Sequence, residues 1–84
     1  MHEILVSSQA GRDLRRAPAV ILQRVVRAIK ALSNDPRPSG ARKITGSKND
    51  WRIRIGDYRV LYELNDTERT VRVMRVRHRR EVYR

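Results

Sequence analysis

The stretch Trp51-Arg52-Ile53-Arg54-Ile55-Gly56-Asp57-Tyr58-Arg59-Val60-Leu61-Tyr62-Glu63-Leu64 decides the fold. Apolar and polar residues alternate on both sides of Gly56-Asp57, the period-2 pattern of a half-buried sheet. The Gly-Asp pair supplies a tight turn, so the stretch reads as a hairpin. Trp51, Ile53 and Ile55 fall on one face of the first strand, Arg52 and Arg54 on the other. Past the turn, Tyr58, Val60 and Tyr62 share a face and Arg59 points the opposite way. One face is then core. The other is a sheet surface with three arginines, a density of fixed positive charge that suits a polyanion.

The rest of the chain builds a back wall for that hairpin. Residues 3–7 read as a short buried strand. Ser7 or Ser8 caps a helix over residues 8–16, with Ala10 and Leu14 inward and Arg12, Arg15 and Arg16 outward. Pro18 suits the first turn of a second helix over residues 18–33. There Ile21, Leu22, Val25, Ala28, Ile29 and Leu32 recur at helical spacing, and Gln23, Arg24, Arg27 and Lys30 take the wet side. Two prolines and a glycine in residues 34–40 forbid continuation. A basic connector, residues 41–50, follows, pinned to the core by Ile44. After a turn at residues 65–69 comes a strand over residues 70–78 whose alternation slips. Val71 and Val73 share one phase, Met74, Val76 and His78 the other, so either a bulge shifts the phase or the strand is covered on both faces.

The order β-α-α-β-β-β predicts an α+β fold: a two-helix hairpin packed on one face of a small, mainly antiparallel four-stranded sheet. No helix remains for the opposite face, which leaves the arginines of the hairpin uncovered. Eighty-four residues make one domain, 1–84, of a few kcal/mol stability.

Composition narrows the function. There is no cysteine, and the two histidines, His2 and His78, are far apart in sequence, so neither a metal site nor a cofactor is expected. No apolar run approaches the ~20 residues of a membrane span and no signal-peptide pattern opens the chain, which predicts a soluble cytoplasmic protein without a membrane partner. The net charge is +11, and 17 of the 20 basic residues are arginine. Guanidinium forks fit phosphate bidentately and stack on bases, which favours nucleic acid or an acidic protein as partner.

Trp51-Arg-Ile-Arg-Ile55, Gly56-Asp-Tyr-Arg-Val-Leu-Tyr62 and the ending Val76-Arg-His-Arg-Arg-Glu-Val-Tyr-Arg84 together resemble the RelE/ParE superfamily of bacterial and archaeal toxins, and the tail resembles the RelE branch. The element order, the proline-rich break and the length fit as well. The resemblance implies the toxin of a type II toxin–antitoxin system: a small ribonuclease that enters the ribosome and cuts mRNA. It also implies a cognate antitoxin that holds it inactive in a hetero-oligomer. A ParE-like inhibitor of DNA gyrase acting by binding, or an inactive homologue that only binds antitoxin, are the alternatives.

Cutting RNA through its own 2′-hydroxyl needs a proton acceptor for the 2′-OH, positive charge on the phosphorane, and a proton for the leaving 5′-oxygen. Arg54, Arg59 and Arg79 suit the second task. They cannot be bases, because guanidinium keeps its proton. The acid–base groups near the tail are His78, Glu81 and Tyr83, and histidine titrates nearest the working pH. The resemblance implies the same set: basic residues at Arg52 and Arg54, arginines at Arg59 and near Arg79, a histidine at His78, and a tyrosine at Tyr83 that stacks on a base or moves a proton. Some relatives have lysine where the first strand here has arginine, which shifts the proton transfer to His78 or Glu81. Arg42, Lys43, Lys48, Arg52, Arg77 and Arg80 are the expected RNA contacts. Trp51 is expected to anchor the core edge, Tyr58 and Tyr62 to be core or strand-pairing residues, and His2 to be an unattached terminal residue. The helix arginines, Arg24 among them, carry no specific role.

Overall fold

A computed structural model describes residues 1–82. The chain runs β1 (Glu3–Val6), α1 (Ser8–Arg16), α2 (Ala19–Ala31), β2 (Arg42–Lys43), β3 (Asp50–Ile55), β4 (Tyr58–Asn65), β5 (Thr70–His78) and α3 (Arg79–Val82). The strands form one sheet in the order β1-β5-β4-β3-β2. Only the β1–β5 pair is parallel. The sheet therefore has five strands rather than four. The extra one is two residues of the basic connector, Arg42 and Lys43, laid against Arg52 and Trp51.

The hairpin forms as its alternation predicts. β3 pairs with β4 from Asp50↔Glu63 to Ile55↔Tyr58, leaving Gly56 and Asp57 as a two-residue turn. Gly56 has φ +58°, the positive value that a II′ turn requires at its first central position. The slipped alternation of β5 comes from a bulge; the strand is interior in the sheet but not covered on both faces, since Arg72 is exposed. β5 lies between β1 and β4, and its register with β4 shifts between Leu61 and Tyr62, which face Arg75 and Val73 and leave Met74 as the extra residue. Val71, Val73, Val76 and His78 consequently share a face.

That face is the core side. Val25, Ile29 and Leu32 of the α2 region and Ala10 of α1 pack with Ile53, Ile55, Val60, Tyr62, Leu64, Val71, Val73 and Val76. Ser7 starts α1 by accepting the Ala10 N–H on its hydroxyl, which in turn donates to the Met74 carbonyl in the bulge. Leu22 is only half-buried, on a flank of α2 with Val26 rather than in the core.

Where β1 ends, β5 loses its strand neighbour. Asp13 of α1 takes that place, accepting from the Val76 N–H at 2.9 Å and from the Arg75 guanidinium at 2.9 and 3.3 Å. His2 is anchored rather than loose. Its N–H donates to the Ser33 carbonyl, its own carbonyl accepts from the Ser33 hydroxyl, and its ring lies 3.2 Å from Asp66. Asp66 also pairs with Arg37 at 2.7 Å, and Arg37 sits over the Trp51 ring at 5.3 Å. Trp51 thus anchors the sheet margin beneath a cation. Tyr62 is fully buried and its hydroxyl donates to the Pro36 carbonyl at 2.6 Å. Burial, the larger influence, pushes that phenol up to about 12, so it stays a donor at any ordinary pH.

Candidate nucleic-acid interface

Residues directly opposite each other in a ladder share a face. Arg54 of β3 faces Arg59 of β4, and Arg59 faces Arg77 of β5. Three guanidinium side chains therefore form one row across three strands, beside the hairpin tip and on the side away from the core. The next row is Arg42, Arg52, Leu61 and Arg75 across β2 to β5. A two-residue strand is enough to bring Arg42 onto the surface. Lys43 lies opposite Trp51 and falls on the other face. Lys48 lies in the turn before β3, at the end of that strand away from the tip, so the fold does not bring it to the site.

Arg59 departs from expectation in one respect. It belongs to the arginine face but is not open on it, being only 5% exposed. A strand period tells which way a side chain points, not what lies over it. Arg54 is exposed and Arg77 half-buried, so the row grades from the outside inward to a sheltered guanidinium. A charge held in such a setting is screened less by water and acts more strongly on an anion brought to it.

His78 does not join that row. It pairs in register with Tyr58, on the face of the hairpin that bears Val60, and its ring meets the Tyr58 ring edge-on at 5.3 Å. Its Nδ1 accepts the main-chain N–H of Arg80 at 3.2 Å. This fixes the neutral ring as the Nε2–H tautomer, with its accepting nitrogen occupied. The Arg79 N–H donates to the Asp57 carbonyl at 2.7 Å, which ties the start of α3 to the turn. Asp57, His78, Arg79 and Arg80 line a common hollow there. Tyr83 lies outside the described residues, and so does the side chain of Glu81.

The candidate site thus wraps the hairpin tip, with Arg54, Arg59 and Arg77 on one face, His78 at the last position of β5 on the other, and Arg79 just past the strand end. Two residues near it carried no sequence signal. Arg24 of α2 brings its guanidinium over Gly56, 3.4 Å from where a Cβ would stand. Asp57 lines the hollow beside His78. Only the packing angle of α2 and the hairpin register reveal them. Among the described residues no three His, Asp or Glu side chains gather to hold a metal ion. No described helix is long and apolar enough to cross a membrane.

Two helices packed on one face of a small, mainly antiparallel sheet is a fold of toxins in type II toxin–antitoxin systems, as comparison with known proteins shows. Residues 4–83 match the family model described as the ParE toxin of type II toxin–antitoxin system, parDE, and the chain belongs to that family, within the RelE/ParE superfamily. It is 36% identical to toxin RelG of Mycobacterium tuberculosis, over 99% of this chain and 97% of the relative. It is 31% identical to toxin RelE3 of Methanocaldococcus jannaschii, over 96% and 94%. Among solved structures it is similar to a chain of the toxin–antitoxin complex RelBE2 from M. tuberculosis, at TM-score 0.81, 30% identity, and 92% and 96% coverage. The isolated Escherichia coli RelE toxin superposes at TM-score 0.82 and 21% identity, covering 99% and 92%, a likeness of fold.

Proposed function

We propose that this toxin is a ribosome-dependent mRNA endoribonuclease. The single observation that supports this reading is the arginine row Arg54–Arg59–Arg77, with a sheltered guanidinium at its centre. Arg54 and Arg59 grip the scissile phosphate while Arg79 neutralises charge developing on it. The 2′-hydroxyl loses its proton, its oxygen attacks phosphorus, and the 5′-oxygen leaves with a proton. The products are a 2′,3′-cyclic phosphate and a 5′-hydroxyl, and the scheme calls on no metal. His78 acts as the acid–base group by swinging its ring off Tyr58 and round the hairpin tip, with Tyr83 stacking on a base or donating. To accept a proton, Nδ1 of His78 must release the Arg80 N–H, at a cost of about 1 kcal/mol for one exchanged hydrogen bond. Arg42, Arg52, Arg77 and Arg80 extend the grip along the RNA backbone, and Lys43 and Lys48, which the fold keeps off that face, take no part. With so few acid–base groups, much of the rate comes from the geometry in which the ribosome presents the message.

The partner is a cognate antitoxin, as in the RelBE2 and RelB–RelE toxin–antitoxin complexes whose toxin chains this fold matches. A chain of net charge +11 suits an acidic-leaning segment lying against it, in a hetero-oligomer.

A second reading, inhibition of DNA gyrase by binding, is favoured by the ParE name of the matching family model. Induced expression separates the two. Rapid arrest of translation, with mRNA ends mapping to ribosomes and little cutting of naked oligonucleotides, is the outcome expected of the nuclease. An SOS response with intact mRNA would overturn it in favour of gyrase.

A further inference from the structure

Asp13 is badly placed as a helix residue. It stands in the last turn of α1, where the carbonyl end of a helix disfavours a negative charge, and aspartate is a poor helix former in any case. Yet its side chain is only 11% exposed. What holds it is β5. The carboxylate accepts from the Val76 N–H and from both Nε and Nη2 of Arg75, so both of its oxygens are used on that strand. Arg77 comes next. Successive strand residues send their main-chain groups to opposite sides, and the Val76 N–H goes outward to Asp13, so the groups of Arg77 go inward to Arg59. The carboxylate thus fixes β5 one residue ahead of the Arg77–Arg59 pair. It also acts through space. Burial raises the Asp13 carboxyl, but the Arg75 and Val76 hydrogen bonds and the charges of Arg75 and Arg77 outweigh it, so Arg77 lies within reach of this negative charge. Such a neighbour offsets the repulsion along the row, where Arg59 stands between Arg54 and Arg77.

We infer that Asp13 is a positioning residue of the nuclease: through Val76 and Arg77 it holds the inner end of the arginine row in line for the scissile phosphate, without touching RNA itself. The inference rests on the nuclease reading above and goes further by giving a part in it to a residue outside the sheet. By plain electrostatics a carboxylate beside an anion site weakens that site. Here the carboxylate is already paired with Arg75, and what it contributes is alignment. Guanidinium groups left to themselves splay apart until an anion arrives. A row held in place beforehand meets the phosphate without that rearrangement, and the gain falls on the chemical step rather than on binding.

The test is cleavage of mRNA on ribosomes by the full chain, with kcat and KM separated. Asp13→Asn removes the charge but leaves a carboxamide oxygen for the Val76 N–H. The expected result is a kcat about tenfold lower, as for a small misplacement of reacting groups, at a KM unchanged or lower because the variant is more basic. Ile29→Val, a truncation in the core, also lowers the melting temperature and is expected to leave kcat within about twofold. In an Arg77→Ala background, Asp13→Asn should have no further effect on kcat. Wild-type kcat in folded Asp13→Asn, or a loss that persists undiminished without Arg77, overturns the inference and leaves the nuclease reading intact. An equal fall in Ile29→Val marks mere loss of stability and overturns it too. A wild-type chain that cuts no mRNA on ribosomes overturns the nuclease reading, and the inference with it. If Asp13→Asn does not fold, nitrogen relaxation at Arg77 Nε in the wild-type chain decides. A side chain as ordered as the main chain supports the inference, and a freely rotating guanidinium overturns it.

Discussion

The two faces of the sheet are made by the same strands and obey opposite rules. On β4, Arg59 and Tyr62 are both buried, one 5% exposed and the other fully enclosed. Tyr62 is surrounded by valine, leucine and isoleucine and satisfies its hydroxyl on Pro36, so its burial holds the fold together. Arg59 stands in register between two other arginines, which repel it. Low exposure therefore does not separate core from site in this protein. What separates them is the setting: apolar side chains enclose Tyr62, whereas Arg59 lies in a row of guanidinium groups that together suit an anion.

The largest effect should come from breaking the core side. Tyr62→Ala is expected to cost about 3–5 kcal/mol, comparable to the whole stability of a domain this size, and to leave the chain unfolded by circular dichroism. Arg59→Ala should do the reverse. Cleavage of ribosome-bound mRNA should fall about 10²–10³-fold, as for loss of a group that stabilises transition-state charge, while the melting temperature holds. Loss of folding in Arg59→Ala with activity lost in proportion would erase the distinction between the faces.

A smaller effect sharpens the boundary between them at Asp13. Burial alone would raise its carboxyl, but the Arg75 hydrogen bond, the Val76 N–H and the charges of Arg75 and Arg77 together hold it below the ordinary value. A carboxylate lowered in the folded state contributes stability that is complete above the unfolded pKa, about 3.9, and is lost as pH falls through the folded value. Melting temperature should therefore drop in that acid window in the wild-type chain and more weakly in Asp13→Ala. At neutral pH the substitution should cost about 1–3 kcal/mol, because the Val76 N–H loses its acceptor.

The hairpin was legible because strict alternation across a Gly-Asp turn leaves one register available. α2 was legible from its spacing, apart from Leu22. β2 was not, since two residues carry no period. α3 escaped for the same reason, being a single turn. The site was half legible. Alternation put Arg52, Arg54 and Arg59 on one face, but the period of a strand does not say how exposed each side chain is, and Arg59 is buried. His78 was the instructive case. In the tail motif it stands beside Arg77 and Arg79, yet the bulge at Met74 sends its ring towards Tyr58 instead. Asp13 gave no signal, because a carboxylate on a helix reads as solvated until a strand end is found beneath it.

That bulge also bears on how chains of this kind can change in length. Met74 and Arg75 are the two residues of β5 either of which a shorter strand could lose while Val71, Val73, Val76 and His78 stayed together on one side. Loss at any other position between Val71 and His78 exchanges valines for arginines unless the bulge closes to compensate. Closing it has a consequence elsewhere, because the Met74 carbonyl accepts from the same Ser7 hydroxyl that receives the Ala10 N–H. A descendant with a straightened β5 must therefore re-fashion the start of its first helix at the same time. Two segments more than sixty residues apart in sequence are bound to vary together or not at all.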